Sequence, residues 1–292
     1  MRSLLFVPAD SERKLEKSLQ SGADSLILDL EDSVSPGRKE VARGMAADFL
    51  RAHQNAQSPL LFVRINALST ELSERDLEAV MSARPYGIML PKCESGGDVT
   101  LLSARLRVHE AQNGMEDGVT RILPIITETA AALFTGATYK GASDRLCGLT
   151  WGAEDLSAVL GAATTRDEDG RYTGVFTLAR SITLLAASAA EVPSIDTVFP
   201  AFRDIDSFVR DCAAAERDGF TARMAIHPAQ VPIINAAFTP SPEAVEQARR
   251  VVEAFGQAGS TGVVSLDGEM IDRPHLIRAE RILARARLAE AA

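Results

Sequence analysis

The chain has 292 residues, of which 46% are hydrophobic and 24% charged, and a formal charge of −9. Its length admits one large domain or two ordinary ones, with the composition of a globular protein. The acidic surplus excludes general binding to nucleic acid or to an anionic membrane, because either partner needs a basic face.

In chain order, SLLFV (3 to 7) reads as a buried strand, and SERKLEKSLQSG after it as a helix with Leu15 and Leu19 on one face. The apolar run before Pro8 is too short for a signal-peptide core. No run approaches the roughly 18 residues of a membrane span. Further apolar runs follow as SLILDL (25 to 30), LLFVRI (60 to 65), GIMLP (87 to 91), RILPII (121 to 126), RLCGLT (145 to 150), SIDTVF (194 to 199) and RMAI (223 to 226). Helix-like stretches separate them, among them DIDSFVRDCAAAERDG with Ile205, Phe208, Val209, Cys212 and Ala213 on one face. Near-continuous apolar strands alternating with helices predict a parallel sheet covered by helices. Eight such units predict a (β/α)8 TIM barrel over residues 1–239, with an open doubly wound sheet as the competing arrangement. The polar stretch ATTRDEDGRYTG (163 to 174) reads as a long loop after the sixth strand.

Residues 240–292 form a C-terminal extension that a closed barrel does not need. PSPEAVEQARRVVEAFGQAG predicts a helix, GVVSLDGEMID a short hairpin, and RPHLIRAERILARARLAEAA a final helix. Gly259 and Gly262 predict a hinge before the hairpin, so the extension is a candidate lid. The cysteines Cys93, Cys147 and Cys212 are odd in number and lack metal-ligand spacing, which fits a reducing compartment. A cytoplasmic protein is the expectation.

In such a barrel, function collects where the strands end at their C-termini. Those positions hold Asp29, Glu31 and Asp32 after the second run, Arg64 and Asn66 in the third, Lys92 and Glu94 after the fourth, Thr127 and Glu128 after the fifth, Glu154 and Asp155 after the sixth, and His227 after the eighth. Each alone has an ordinary reading as a helix-start acid or an exposed turn. Their coincidence at one end predicts an active site. Glu128 and Asp155, from adjacent strand ends, suit Mg2+ completed by water and substrate oxygens, whereas zinc would want His or Cys. Glu154 either caps its helix or supports Asp155. A divalent ion beside Arg64 would stabilise a developing enolate, which favours carbon–carbon chemistry of the aldol or Claisen kind.

The ordered motifs RSLLFVPA, GADSLILDLEDSV, VRINAL, IMLPKCES, ITETAAAL, LTWGAEDLSAVLG, AIHPAQVPIINAAFTPSPEAVEQARRVVEAF and GEMID resemble the citrate lyase beta subunit-like proteins of the aldolase/citrate lyase superfamily, which includes malyl-CoA and citramalyl-CoA lyases. The resemblance spans essentially the whole chain. It implies a (β/α)8 barrel, a homotrimer, and Mg2+-dependent cleavage or formation of a 3-hydroxyacyl-CoA thioester; the alternative it leaves open is a citrate lyase beta chain acting on an acyl-carrier-protein thioester. By motif it implies Glu128 and Asp155 as metal ligands, Arg64 as the residue holding the carbonyl or enolate oxygen, Asp32 as part of the acidic surround, and Asp272 as an acid/base carboxylate brought by the C-terminal segment, in trimeric relatives from a neighbouring copy. Phe6, Arg13, Lys17 and Lys92, with Ile226 and His227, fall along the path where relatives contact coenzyme A. Ala9 stands where many relatives have Gly, and Trp151 where many have Phe, which leaves the acyl group open.

Overall fold

The computed structural model describes residues 1–54, 59–258 and 262–290, which divide into two compact units at Asn235/Ala236. In the first, β1 (Ser3–Pro8), β2 (Ser25–Asp29), β3 (Leu60–Arg64), β4 (Gly87–Leu90), β5 (Arg121–Pro124), β6 (Leu149–Thr150), β7 (Ser194–Asp196) and β8 (Ala222–Ala225) form one parallel sheet. Its order runs from β5 back to β1 and on through β8 and β7 to β6. The two ends meet through Ile122–Leu146 and Ile125–Thr150 bridges, which closes the (β/α)8 barrel and decides against the open sheet. Leu4, Ile27, Phe62, Met89, Leu123, Ile195 and Met224 fill the interior, one or more from nearly every strand. Each such side chain contributes about 1.5–3 kcal/mol by leaving water.

The helices are α1 (Glu12–Ser18), α2 (Lys39–Ala52), α3 (Leu72–Val80), α4 (Gly96–Gln112), α5 (Ala153–Leu160), α6 (Gly174–Ala189), α7 (Ile205–Asp218) and α8 (Val231–Phe238), the last spanning the division between units. Two expectations need correction. The sixth run pairs as a regular strand only over Leu149–Thr150, its earlier part joining β5 through the isolated Ile122–Leu146 bridge alone. On α7 the buried stripe is Phe208, Cys212 and Ala215, while Ile205, Val209 and Ala213 are exposed. The face is turned because Asp211 is drawn inward by Arg166 and Arg223.

The second unit contains α9 (Pro242–Ala258), the antiparallel pair β9 (Val263–Leu266) and β10 (Glu269–Asp272), and α10 (Arg273–Glu290). Asp267 and Gly268, with φ 54° and 83°, make the tight turn that an Asp-Gly pair favours in a hairpin. Ala248, Val251, Phe255, Ile271 and Ala279 form its core. Of the two predicted hinge glycines, Gly259 lies outside the described residues. No described helix is long and apolar enough to cross a membrane.

Candidate active site

The charged cluster begins with strand register. Parallel pairing of β2 with β3 sets Asp29 beside Arg64, the last residue of each strand. Their side chains form two hydrogen bonds, Arg64 Nε to Asp29 Oδ1 at 2.7 Å and Nη2 to Oδ2 at 2.6 Å. Arg64 Nη1 also lies 3.0 Å from Glu31 Oε2, and the guanidinium stands 4.8 Å over the Phe6 ring. Burial alone would raise the Asp29 carboxyl, but the Arg64 bonds and charge outweigh it and leave it below the usual range.

Glu31 is held from behind. The Lys39 ammonium on α2 donates to the carbonyls of Leu30 and Glu31, both at 2.7 Å, and to Asn66 Oδ1 at 2.9 Å. Asn66 is fixed in turn by Asp76, which accepts from its main-chain N–H and from its amide. The Glu31 carboxyl is raised, first by burial, with Arg64 and Lys92 opposing.

Lys92 follows β4 and joins the remaining acids. Its ammonium bonds Glu31 and lies 3.3 Å from Asp32 and 3.5 Å from Asp155. Its main-chain N–H donates to Glu128. Glu128, after β5, is buried, and its carboxyl is pushed up to about 8, first by burial and then by the negative charge of Asp155. Gly152 permits this arrangement, since a Cβ there would lie 2.7 Å from Glu128 Cγ.

The two acids that open α5 do not cap it. Its N-cap is Gly152, with no side-chain cap bond, so capping does not explain Glu154 and Asp155. Glu154 is exposed while Asp155 is half-buried beside Lys92. Among the described residues, no group of three or more His, Cys, Asp or Glu side chains is assembled to hold an ion by itself. Glu128 and Asp155 therefore fit a hard cation that takes its other oxygens from water and substrate, and a positive ion would relieve the repulsion that raises Glu128.

The structure thus brings together Phe6, Asp32, Arg64, Lys92, Glu128 and Asp155 from the expected set. Arg13 and Lys17 are exposed on α1, in its first and last turns. Ile226 is 41% exposed after β8. His227 accepts from the Ala229 N–H at 3.2 Å and stacks on Phe202 with centroids 4.5 Å apart. Asp272 belongs to the second unit, where its carboxylate lies 2.6 Å from His275 Nδ1.

A second charged network was absent from the sequence reading. Asp196 at the end of β7 accepts from Trp151 Nε1 at 2.7 Å and lies 3.5 Å from both Arg180 and the fully buried Arg223. Asp211 bonds Arg223 at 2.6 Å and takes two bonds from Arg166, whose guanidinium stands 3.7 Å over the Tyr172 ring. Tyr172 meets Trp151 edge-on at 5.0 Å, which ties the loop over residues 163–174 to the root of α5. An aspartate and an arginine inside apolar runs were the only local signals of this network.

Comparison with known proteins places these features in context. The model of the HpcH/HpaI aldolase/citrate lyase family matches residues 2–228. The citrate lyase subunit beta of Leuconostoc mesenteroides is 32% identical over 97% of this chain and 92% of its own. The (3S)-malyl-CoA thioesterase of Cereibacter sphaeroides is 32% identical over 98% of this chain and 94% of its own. Among solved structures, the protein CitE from Mycobacterium tuberculosis in complex with magnesium, acetoacetate and coenzyme A superposes with a TM-score of 0.77, at 34% identity, over 98% of this chain and 97% of that one.

Proposed function

Because the chain belongs to the HpcH/HpaI aldolase/citrate lyase family, we propose that it is a Mg2+-dependent carbon–carbon lyase that cleaves or forms a 3-hydroxyacyl-CoA thioester such as citramalyl-CoA, malyl-CoA or a 3-hydroxy-3-methylglutaryl-type CoA. The observation that carries the reading is the buried Glu128 beside the charge of Asp155, the two following the adjacent strands β5 and β6, with the doubly anchored Arg64 of β3 close enough to act on Glu128. It is supported by the magnesium and coenzyme A in the complex of the M. tuberculosis protein.

In this reading Glu128 and Asp155 hold the ion, which when bound polarises the substrate oxygens and offsets charge developing on them. Arg64 presents its guanidinium to the carbonyl or enolate oxygen, and Asp29 and Glu31 keep it charged and immobile. Cleavage removes the 3-hydroxyl proton and breaks the C2–C3 bond. The C3 fragment leaves as a carbonyl compound, and the electron pair passes to the thioester α-carbon, which is then protonated. Asp272 is the proposed proton carrier, delivered by a neighbouring copy in a homotrimer. Phe6, Arg13, Lys17, Lys92, Ile226 and His227 line the proposed coenzyme A path, and Asp32 adds to the acidic surround.

The test is to incubate the pure protein with Mg2+ and a panel of 3-hydroxyacyl-CoA esters and to detect acetyl-CoA or propionyl-CoA by mass. Release that stops on chelation is the expected result. Turnover of an acyl-carrier-protein thioester but of no free CoA ester would transfer the reading to the citrate lyase beta role, the name carried by the L. mesenteroides relative.

A further inference from the structure

Lys92 is one of four non-glycine residues with a left-handed backbone among the described residues, at φ 50°. That conformation crowds the Cβ of an L-residue, and long side chains enter it rarely. The distortion has a local cause in the β4–β5 ladder. Ile125 donates to Leu90 O at 2.9 Å, so an evenly spaced parallel ladder would have Lys92 N–H return to Ile125 O. Cys93 N–H takes that carbonyl instead, at 3.2 Å. One extra residue is therefore inserted, and the Lys92 N–H is freed from the ladder and turned to the Glu128 carboxylate.

We propose that Lys92 is a positioning residue whose left-handed bulge fixes the Glu128 carboxylate for the divalent cation. This rests on the proposed role of Glu128 and Asp155 as ion ligands. The main chain is the operative part: its N–H, held by the bulge, is a rigid donor to the Glu128 carboxylate that a mobile side chain could not supply. The ammonium of the same residue reaches Glu31, Asp32 and Asp155, so one residue links groups that follow β2, β5 and β6.

Two variants separate the main chain from the ammonium. Lys92→Gly and Lys92→Val both lack the charge, but glycine enters the left-handed region freely while a β-branched residue strongly resists it. Mn2+ alone is titrated into each metal-free protein, and free ion is read by electron paramagnetic resonance. Lys92→Val should bind Mn2+ about tenfold more weakly than Lys92→Gly, the scale on which groups supporting a metal ligand act. Arg84→Val provides the control: Arg84 is also left-handed, at φ 54°, and is exposed after α3. It should lower Tm comparably and leave Mn2+ affinity unchanged. Equal Mn2+ affinity in the two Lys92 variants, or an equal loss in Arg84→Val, would overturn the proposal. Failure of the wild-type protein to take up Mn2+ would instead overturn the ligand assignment, and this inference with it.

Discussion

At the ends of β2 to β6, five carboxylates (Asp29, Glu31, Asp32, Glu128 and Asp155) are joined to two cations, Arg64 and Lys92. Between β7, β8, α6 and α7, three carboxylates (Asp196, Asp211 and Asp218) meet three guanidiniums, those of Arg166, Arg180 and Arg223. The titration follows the balance. In the first network Asp29, paired with Arg64, is held below the usual range, but the surplus shows in its neighbours, where burial and like charge raise Glu128 to about 8 and burial raises Glu31; in the second Asp211 is held below the usual range. Buried charge that is matched one for one makes a clamp, here closed by Arg166 over the Tyr172 ring and the edge-on contact of Tyr172 with Trp151. A negative surplus in a buried place makes a receptor for positive charge.

The sharpest way to break this contrast is Asp155→Ala. It should remove most Mg2+-dependent turnover, about 10³-fold given the several kcal/mol a metal contributes to a developing charge. Tm should stay close to wild type, because Asp155 is half-buried and its removal relieves repulsion on Glu128. Steady-state kinetics and calorimetry on one preparation check both halves; unchanged Mg2+-dependent turnover would falsify the ligand assignment.

Arg64→Lys comes next, at about 10² in kcat with a smaller change in KM, the pattern of a group that acts in the transition state. An ammonium keeps the charge but cannot make the paired bonds to Asp29 while also reaching Glu31. A raised KM with normal kcat would make Arg64 a simple binding residue.

Much of the first network was legible in the sequence, and little of the second. Strand-end residues are local facts: LLFVRI ends near Arg64, and ITE places Glu128 just past its strand. Near-continuous apolar runs made the parallel strands readable as well. The wiring was not local. That Asp29 anchors Arg64 follows from the β2–β3 register, which no single run contains. RMAI reads as an apolar strand, and only the fold puts Arg223 against Asp196 and Asp211, both of which lie in earlier runs of the chain. The turned face of α7 has the same origin, since Asp211 follows its partners rather than the apolar period.

The matched network should answer in stability rather than in rate. Asp211→Asn leaves the fully buried Arg223 with less countercharge and should cost about 3 kcal/mol, the scale of a broken buried pair, with kcat close to normal. Its pH dependence has a definite sign. Burial opposes the Asp211 charge, but Arg223 and Arg166 outweigh it, so the folded carboxyl titrates below the unfolded value of about 3.9. Its contribution is present above that value and is lost as pH falls through the folded one. Tm measured against pH should therefore fall less steeply below about 4 in Asp211→Asn than in wild type. Parallel curves would remove Asp211 from the acid response.

The smallest change is a single methyl group. Gly152 has φ −121°, a backbone that any residue adopts, so Gly152→Ala introduces no conformational strain. Only space is altered, because the new Cβ would lie 2.7 Å from Glu128 Cγ. Glu128 cannot retreat easily, since it is buried and tied to the Lys92 N–H. Its carboxylate should therefore shift, and Mn2+ affinity should drop about tenfold, the lower end of what displaced support costs a metal site. Gly174→Ala is the matching control: a Cβ there meets nothing within 4 Å at the start of α6, and ion affinity should not change. The pair sharpens the comparison with the second network. If a methyl aimed at Glu128 loosens the ion while Asp211→Asn does not, the two charge clusters are separate devices. If Asp211→Asn weakens Mn2+ binding as much as Gly152→Ala does, then the clamp acting through Trp151 also sets the ion site, and the division drawn between them fails.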